Sequence, residues 1–353
     1  MFHQGLRELL TEIVSSGTFG TAAQACVMQG GRTVVEVAVG VDGVGAAVDL
    51  DSVFSIYCAC KPLTAVAIGS LFDSHALSPH DRLGDVLAVE INGPLRELLI
   101  EDLLRHTAGL EFQSELFLAR KPYERDLLVR SLEPLARSEG VGRYSEYASW
   151  HLLALVLEAL TELRFDQAID QLVLAPLHLS QEISFTPSGG IRDRLRLNVD
   201  LTRPGVGPLP ILWEASPEVM DDIRPGTGAV ASMRGLATLF MHLASVWTGS
   251  SAGSVISGPT TRFLTQPATA LEYDPVLGRT LSYSRGFFAG GAFPGLSRSA
   301  FGCAGLSGMT FAAADPERDV ALAIHTNGIV DGRLAPELDR RELLVRAAIA
   351  GLT

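Results

Sequence analysis

The chain of 353 residues carries 28 Lys and Arg against 40 Asp and Glu, which gives a formal charge of −12. With 47% hydrophobic and 19% charged residues, its composition is that of a globular protein with an apolar core, which argues against a disordered or fibrous chain. The acidic balance, with no run of Lys or Arg that could follow a phosphate backbone, argues against nucleic-acid binding.

The chain begins with a helix and two strands. An amphipathic helix is predicted over residues 1–15, followed by strands at 20–28 and 33–41. Gln29, Gly30 and Gly31 separate the strands, and this composition is typical of a hairpin turn. The first third of the molecule therefore starts as helix, strand, strand.

The middle of the chain is predicted to be helical. Residues from about 61 to 177 have helical periodicity interrupted by loops rich in Gly and Pro. Residues 188–228 are rich in Gly, Pro and Arg with little periodicity, so we interpret them as a long surface connection that helps to shape a substrate pocket.

The last third returns to a mixture of helices and strands. The predicted elements are a helix, a flexible Ser/Gly loop, three strands and a final helix, at residues 233–247, 249–258, 283–289, 309–314, 320–326 and 336–350. Strands near both termini around a helical middle predict an α/β (α+β) fold with one central antiparallel sheet, flanked by helices and accompanied by a helical lobe. We expect a single domain over 1–353, with a sheet lobe from about 1–60 and 229–353 and a helical lobe from about 61–228.

Neither a membrane span nor an export signal is predicted. The N-terminal helix contains Glu8 and Glu12 and lacks the basic start and apolar core of a signal peptide. The most apolar helical stretch, residues 150–160, contains Glu158 and is well short of the roughly 20 residues that span a bilayer. We therefore expect a cytoplasmic protein with no membrane partner.

The four cysteines, Cys26, Cys58, Cys60 and Cys303, lack the spacing of a zinc site. In a reducing cytosol they are expected to be free thiols, with Cys26 and Cys60 behaving as small buried side chains. Glycines at 286–291 lack the strand, turn and helix context of a nucleotide loop. We predict no metal and no cofactor.

The most informative segment is FSIYCACKPLTA at residues 54–65, which precedes an apolar helical run. Residues at i and i+3 share a helix face, so Cys58 and Lys61 are expected to meet where this helix begins. The helix dipole and a neighbouring ammonium group both favour a thiolate, the reactive form of cysteine. Cys58 is therefore predicted to be a nucleophile.

This segment resembles the F-x-i-a-S-x-x-K-p-x-t-A motif of serine β-lactamase-related proteins, the penicillin-binding-protein and class C β-lactamase family that includes esterases and acyltransferases. Cys58 stands at the position of the nucleophilic serine, and Lys61 at that of its base. Four further segments are similar to family motifs, in the family's order: 100–110 (L-L-x-H-T-S-G-L), 144–146 (Y-S-N), 175–177 (P-L-G-M) and 302–308 (G-H-x-G-x-x-G). The resemblance covers nearly the whole chain and implies a β-lactamase/transpeptidase-like fold.

The resemblance also implies roles for individual residues. Tyr144 matches the catalytic tyrosine and would relay a proton together with Lys61. The backbone N–H groups of Cys58 and Leu306 match the two donors of an oxyanion hole. The candidate substrate-binding residues are Glu146, Cys303, Ala304 and Gly305. His106, in the second motif, is expected to brace its loop rather than to touch substrate.

Three positions depart from the family pattern. Sulfur in place of oxygen at Cys58 suits thioester exchange. Glu146 replaces the family Asn, which either places a carboxylate beside Lys61 and favours a thiolate–ammonium pair or leaves a solvated side chain. Cys303 replaces the His or Lys of the last motif, so a carboxylate-bearing peptide substrate is not expected. If both thiols line one cleft, Cys58 and Cys303 could form a disulfide under oxidising conditions.

These features favour a cysteine acyltransferase. Cys58 would take an acyl group from a thioester on a carrier protein or coenzyme A and pass it to a small-molecule alcohol or amine, as in the secondary-metabolism acyltransferases that the family includes. With water as acceptor, the same site would be a thioesterase or esterase. A non-catalytic relative that binds a ligand in the old cleft is the alternative outside enzymes, and the altered positions Glu146 and Cys303 favour it.

Overall fold

The structure is a computed structural model. It describes residues 2–87, 91, 93–111, 115–119, 121–135, 141–251, 254–289, 291–330, 340–350 and 352. The described α-helices are α1 (Phe2–Ser16), α2 (Lys61–Asp73), α3 (Leu83–Val86), α4 (Ile100–Leu104), α5 (Glu115–Leu118), α6 (Pro122–Arg130), α7 (Ala148–Thr161), α8 (Phe165–Ile169), α9 (Gly189–Asp193), α10 (Pro217–Met220), α11 (Met233–Thr248), α12 (Gly258–Thr265) and α13 (Arg340–Ile349).

Short helical turns and strands complete the described elements. The 3-10 turns are Tyr57–Cys60, Gly93–Glu97, Leu212–Ala215 and Leu306–Gly308, and a π-helical turn covers Asp170–Leu174. The strands are β1 (Ala22–Gln29), β2 (Arg32–Gly40), β3 (Val53–Ser55), β4 (Ile183–Ser184), β5 (Leu195–Arg196), β6 (Val199–Asp200), β7 (Leu209–Pro210), β8 (Val230–Ala231), β9 (Glu272–Asp274), β10 (Arg279–Tyr283), β11 (Phe288–Ala289), β12 (Phe301–Ala304), β13 (Thr310–Asp315), β14 (Val320–Thr326) and β15 (Gly328–Ile329).

The central sheet joins the two ends of the chain. Its eight strands lie in the order β2-β1-β14-β13-β12-β11-β10-β9, and each strand is antiparallel to its neighbours. The N-terminal β1 pairs along its length with the C-terminal β14. The predicted antiparallel sheet with flanking helices is therefore confirmed.

Both faces of the sheet are buried at its inner strands β1, β13 and β14. Alternate residues of a strand point to opposite faces, so Cys26 packs into the cluster that contains α11 while Val27 packs into the one that contains α1 and α13. The side chains of β13 and β14 alternate between the same two clusters, and every residue of both strands is buried. Their continuous apolar pattern reflects a sheet that is covered on both sides.

The helix that follows the candidate nucleophile is itself a core element. Residues 61–69 of α2 are all buried, and α2 packs between α7 and α12. A helix that is apolar on every side is typical of a protein interior. Lys61 at its first position is consequently held in a dry environment, with 3% of its surface exposed. None of the described helices has both the length and the apolarity needed to cross a membrane.

Two predictions in the last third need correction. The strand predicted at 283–289 is wrong, because β10 ends at Tyr283 and a turn separates it from β11. Gly286 in that turn has φ +92°, and a Cβ atom there would lie 2.3 Å from the Cβ of Ala65, so the backbone leaves the strand to pack on α2. The predicted loop 249–258 ends where α12 begins, at Gly258, and the Ser257 side chain caps that helix. Residues 336–339 of the predicted final helix lie outside the described residues.

The segment 188–228 is not only a surface connection. It contains β5, β6 and β7, which pair with β3, with β15 and with one another, and it contributes the fully buried side chains of Asn198 and Glu214. The range 61–228 predicted for the helical lobe therefore includes four short strands, β4 to β7. Strands of two residues are specified by their pairing partners, which local sequence patterns do not reveal.

Candidate active site

Cys58 lies in the buried 3-10 turn Tyr57–Cys60, between β3 and α2. Tyr57 has φ +49°, a left-handed conformation that is uncommon for a bulky residue. Pro62 in the first turn of α2 has the fixed φ that suits a helix start, so the helix begins immediately after this turn. The sequence thus places Cys58 just before the N-terminus of a buried helix.

Three side chains surround the Cys58 sulfur. The thiol donates to Glu146 Oε1 at 3.7 Å, and Lys61 and Tyr144 also interact with it. Lys61 Nζ lies 5.1 Å from the centre of the Tyr144 ring and donates to the carbonyl oxygen of Gly226 at 2.8 Å. The structure therefore brings together Cys58, Lys61, Tyr144 and Glu146, which are far apart in the sequence.

The expected thiolate is not favoured in this environment. Burial raises the pKa of the Cys58 thiol, Lys61 lowers it and the Glu146 carboxylate raises it. The Glu146 carboxylate, expected either beside Lys61 or in solvent, accepts a hydrogen bond from the Cys58 sulfur. Cys58 is accordingly a neutral thiol at rest, hydrogen-bonded to a potential base.

Tyr144 is fixed by its neighbours on both sides. Its backbone N–H donates to Asp274 Oδ2 at 2.7 Å, and its ring stacks on His106 with centres 4.8 Å apart. Burial raises the pKa of Tyr144 well above 10, and the nearby Cys58 raises it further. The side chain is therefore a phenol at neutral pH and can donate a proton or a hydrogen bond.

His106 has the bracing position that was expected of it. Its Nδ1 accepts the backbone N–H of Ser145 at 3.0 Å, and burial lowers its pKa well below 6.5, so the ring is neutral. It also lies against Tyr283, with ring centres 4.6 Å apart. His106 thus supports Tyr144 from behind, although one edge of it reaches the pocket.

A small pocket with a cavity volume of about 10 Å³ lies beside the sulfur. Its lining residues are Cys58, Lys61, His106, Tyr144, Gly286, Phe287, Phe288, Cys303 and Ala304. Sequence reasoning missed Phe287 and Phe288 as lining residues, because the turn around Gly286 was interpreted as strand. Gly286, between Arg285 and two phenylalanines, was the feature of the sequence that could have indicated this turn, and it has a positive φ in the structure.

Cys303 lines the same pocket from β12. Its thiol donates to the carbonyl oxygen of Ala59 at 3.3 Å, and burial raises its pKa. Both Cys303 and Cys58 are free thiols in the structure. No group of three or more His, Cys, Asp or Glu side chains in the described part of the chain is arranged to hold a metal ion.

The two candidate oxyanion donors lie in adjacent turns. Cys58 and Leu306 are each in the first turn of a 3-10 helix, where a backbone N–H has no acceptor within the helix. The turns are in close contact, because a Cβ atom on Gly305 would lie 2.4 Å from the carbonyl oxygen of Ile56. The two turns that carry these N–H groups therefore lie side by side. Ala304 ends β12 and lines the pocket, and Gly305 connects it to the turn of Leu306.

Comparison with known proteins shows which family and which folds the whole chain resembles. Residues 7–347 match the family described as Beta-lactamase. No curated protein matches the sequence significantly.

Solved structures share the fold over its full extent. A penicillin-binding protein homologue from Caulobacter crescentus is 21% identical with a TM-score of 0.80, over 99% of this chain and 97% of that one. A family VIII carboxylesterase is 19% identical with a TM-score of 0.79, over 99% and 97% of the two chains. EstCE1, described as a hydrolase with promiscuous acyltransferase activity, is 18% identical with a TM-score of 0.77, over 99% and 98%.

Proposed function

Since the chain belongs to the β-lactamase family over residues 7–347, we propose that it is a cysteine acyltransferase that works through an acyl-enzyme on Cys58. The observation that carries the proposal is the contact of one sulfur with Lys61, Tyr144 and Glu146, the first two of which line the same pocket as Cys58. Such a cluster of nucleophile, cation and proton acceptor is the pattern of covalent catalysis. A buried cysteine with only a packing role would not require a cation and a proton acceptor beside its sulfur.

The first half of the reaction forms the acyl-enzyme. Cys58 attacks the carbonyl carbon of an acyl thioester while its proton passes to Glu146, the carboxylate that already accepts it as a hydrogen bond. The carbonyl oxygen becomes negative and is stabilised by the N–H groups of Cys58 and Leu306. The carbon–sulfur bond of the donor then breaks, and the leaving thiolate takes that proton from Glu146, which is again a carboxylate.

The second half repeats these steps with a different nucleophile. An alcohol or amine loses its proton to Glu146 as it attacks the acyl-enzyme, and Cys58 leaves as a thiolate that recovers the proton. Lys61, held against the Gly226 carbonyl, stabilises the sulfur when it is negative. Cys58 is thus regenerated as the neutral thiol.

A thioester is the donor that best suits this sulfur. Attack of a thiol on a thioester exchanges one thioester for another of similar energy, so the first step is balanced. Coenzyme A and carrier proteins both present acyl groups in this form. Two structural neighbours are described as a carboxylesterase and as a hydrolase with promiscuous acyltransferase activity, and both descriptions concern acyl transfer to water or to another acceptor. Hydrolysis of thioesters or esters by the same Cys58 is the second candidate.

The test is turnover of acyl-CoA with and without an acceptor. Free coenzyme A and the acyl product are measured by mass spectrometry in the presence of a panel of alcohols and amines. Transfer predicts faster release of coenzyme A with an acceptor and an ester or amide product, whereas hydrolysis predicts the free acid. Cys58→Ala abolishes either activity, while Cys26→Ala, which removes a buried thiol from β1, retains it. Turnover that survives in Cys58→Ala would contradict the proposal.

A further inference from the structure

A buried carboxylate holds the residue that precedes Cys58. The hydroxyl of Tyr57 donates to Glu214 Oε1 at 2.5 Å, and both side chains lie in the interior. Glu214 is fully buried in the turn Leu212–Ala215, and burial raises its pKa to about 7. Burial of a carboxylate costs free energy unless the group is hydrogen-bonded, so we looked for a function in the hydrogen bonds that Glu214 makes.

Asn198 extends this contact toward the strand before the turn. Its backbone N–H donates to Glu214 Oε2 at 3.0 Å, and its side-chain amide donates to Glu214 Oε1 at 2.8 Å. The second hydrogen of that amide is directed to the carbonyl oxygen of Ser55 at 3.2 Å. Glu214 and Asn198 therefore hold both Ser55 and Tyr57, which flank the peptide leading to Cys58.

The same Asn198 reaches the central sheet through His325. Because its amide nitrogen is used as a donor twice, Asn198 Oδ1 accepts from His325 Nε2 at 2.9 Å. His325 Nδ1 is then an acceptor, and the Thr310 hydroxyl donates to it at 2.7 Å. Burial lowers the pKa of His325 to about 3, so the ring stays neutral in this role. His325, Asn198 and Thr310 are all fully buried.

Thr310 in turn holds the second candidate oxyanion donor. Its carbonyl oxygen accepts the N–H of Gly305 at 2.7 Å, immediately before the turn Leu306–Gly308. The chain of hydrogen bonds therefore begins at the turn of Cys58 and ends at the turn of Leu306. It connects, in space, two turns whose sequence positions are about 250 residues apart.

We propose that the buried chain Tyr57–Glu214–Asn198–His325–Thr310 is a positioning device that fixes the separation of the Cys58 and Leu306 N–H groups. The proposal rests on the proposed function, because it concerns the oxyanion formed during acyl transfer. Tyr57 in its left-handed conformation aims the Cys58 peptide, and Glu214 keeps Tyr57 there. A displacement of either donor by about 1 Å is enough to weaken transition-state stabilisation.

The experiment compares two reactions of the same sulfur. Acylation of Cys58 by p-nitrophenyl acetate needs the oxyanion donors, whereas its alkylation by iodoacetamide needs only access and a thiolate. Both rates are measured at pH 8 for the wild type, Tyr57→Phe and Glu214→Gln, with Cys58 identified by peptide mapping. Asp73→Asn, which disturbs hydrogen bonds at the opposite end of α2, is the control for general loosening.

The positioning role predicts that both variants slow acylation at least tenfold and change alkylation less than threefold, and that Asp73→Asn leaves both rates near wild type. In the double variant the loss should not exceed that of the slower single variant, since both residues act through one hydrogen bond. Acylation at the wild-type rate, or acylation and alkylation that change together, would overturn the positioning role while leaving the acyl-enzyme intact. A wild type that is acylated by neither p-nitrophenyl acetate nor thioesters would overturn the proposed function and this inference with it.

Discussion

At the scale of single residues, the sulfur of Cys58 lies between a cation and an anion. Lys61 stabilises its thiolate, while Glu146 and burial stabilise its thiol, and the net effect is a raised pKa. In the proposed reaction, a thiol that is activated at the moment of attack takes the place of a standing ion pair. We therefore propose Glu146, rather than Lys61, as the group on which the rate of proton removal depends.

Replacement of Glu146 tests that assignment. Glu146→Gln retains the size of the side chain but removes its capacity to take the proton, so we expect acylation by an acyl thioester to slow by about 10²-fold. Pre-steady-state release of the donor thiol is the measurement. Glu317→Gln, which removes the same charge from an exposed turn, serves as the control. An unchanged rate in Glu146→Gln would assign proton removal to another group.

Sequence reasoning located part of this site and missed another part for identifiable reasons. Cys58 and Lys61 share a local motif, and Tyr144 follows from a second motif, so each is visible in the linear pattern. The direction of the Glu146 side chain is set by packing and could not be derived. Glu214 and Asn198 lie in a segment without periodicity, and their partners are distant in the sequence, so no local pattern marks them as buried.

At the scale of elements, the turn between β10 and β11 determines the wall of the pocket. Gly286 packs on Ala65 of α2, and its N–H donates to the carbonyl oxygen of Leu104 at 2.9 Å. Phe287 and Phe288 follow this turn and line the pocket. The β13 and β14 strands were predictable from continuous apolar runs, whereas β10 and β11 were not, because this glycine interrupts the strand pattern.

The close approach at Gly286 gives a stability prediction. Gly286→Ala introduces a methyl group 2.3 Å from Ala65 Cβ in addition to the strain of a positive φ. Gly291 also has positive φ, at +86°, but open space around it, so Gly291→Ala measures the conformational strain alone. We expect Gly286→Ala to lower the free energy of unfolding by about 1–3 kcal/mol more than Gly291→Ala, as measured by urea denaturation. Equal losses would mean that α2 and the turn are not in contact.

At the scale of the whole molecule, the candidate site lies where distant parts of the chain meet. The sheet that pairs β1 with β14 supplies His325, the segment 188–228 supplies Asn198 and Glu214, and the turn before α2 supplies Tyr57. Sheet pairing between the chain ends was predictable from where the strands occur. The meeting of three segments in one buried network was not, because it arises only after the sheet has formed.

The buried network also affects the pH dependence of stability. The pKa of His325 is lowered to about 3, so the unfolded chain binds a proton below about pH 6.5 that the folded chain does not, and acidification destabilises the fold. The pKa of Glu214 is raised from 4.5 to about 7, so the folded chain retains a proton between these values and acidification from pH 7 to 4.5 stabilises it.

Glu214→Gln separates these two opposing effects. The variant loses the stabilisation on acidification but keeps the effect of His325, so its free energy of unfolding should fall more steeply than that of the wild type between pH 7 and 5. Urea denaturation at several pH values gives both curves. Parallel curves would show that Glu214 does not change its protonation between the folded and unfolded states in this range.

Intact-protein mass spectrometry after incubation with a panel of acyl thioesters tests most directly whether Cys58 carries the acyl group. We expect a mass increase equal to the transferred acyl group in the wild type and in Cys26→Ala, and none in Cys58→Ala. An adduct that persists in Cys58→Ala, or no adduct from any thioester or ordinary ester, would contradict this expectation.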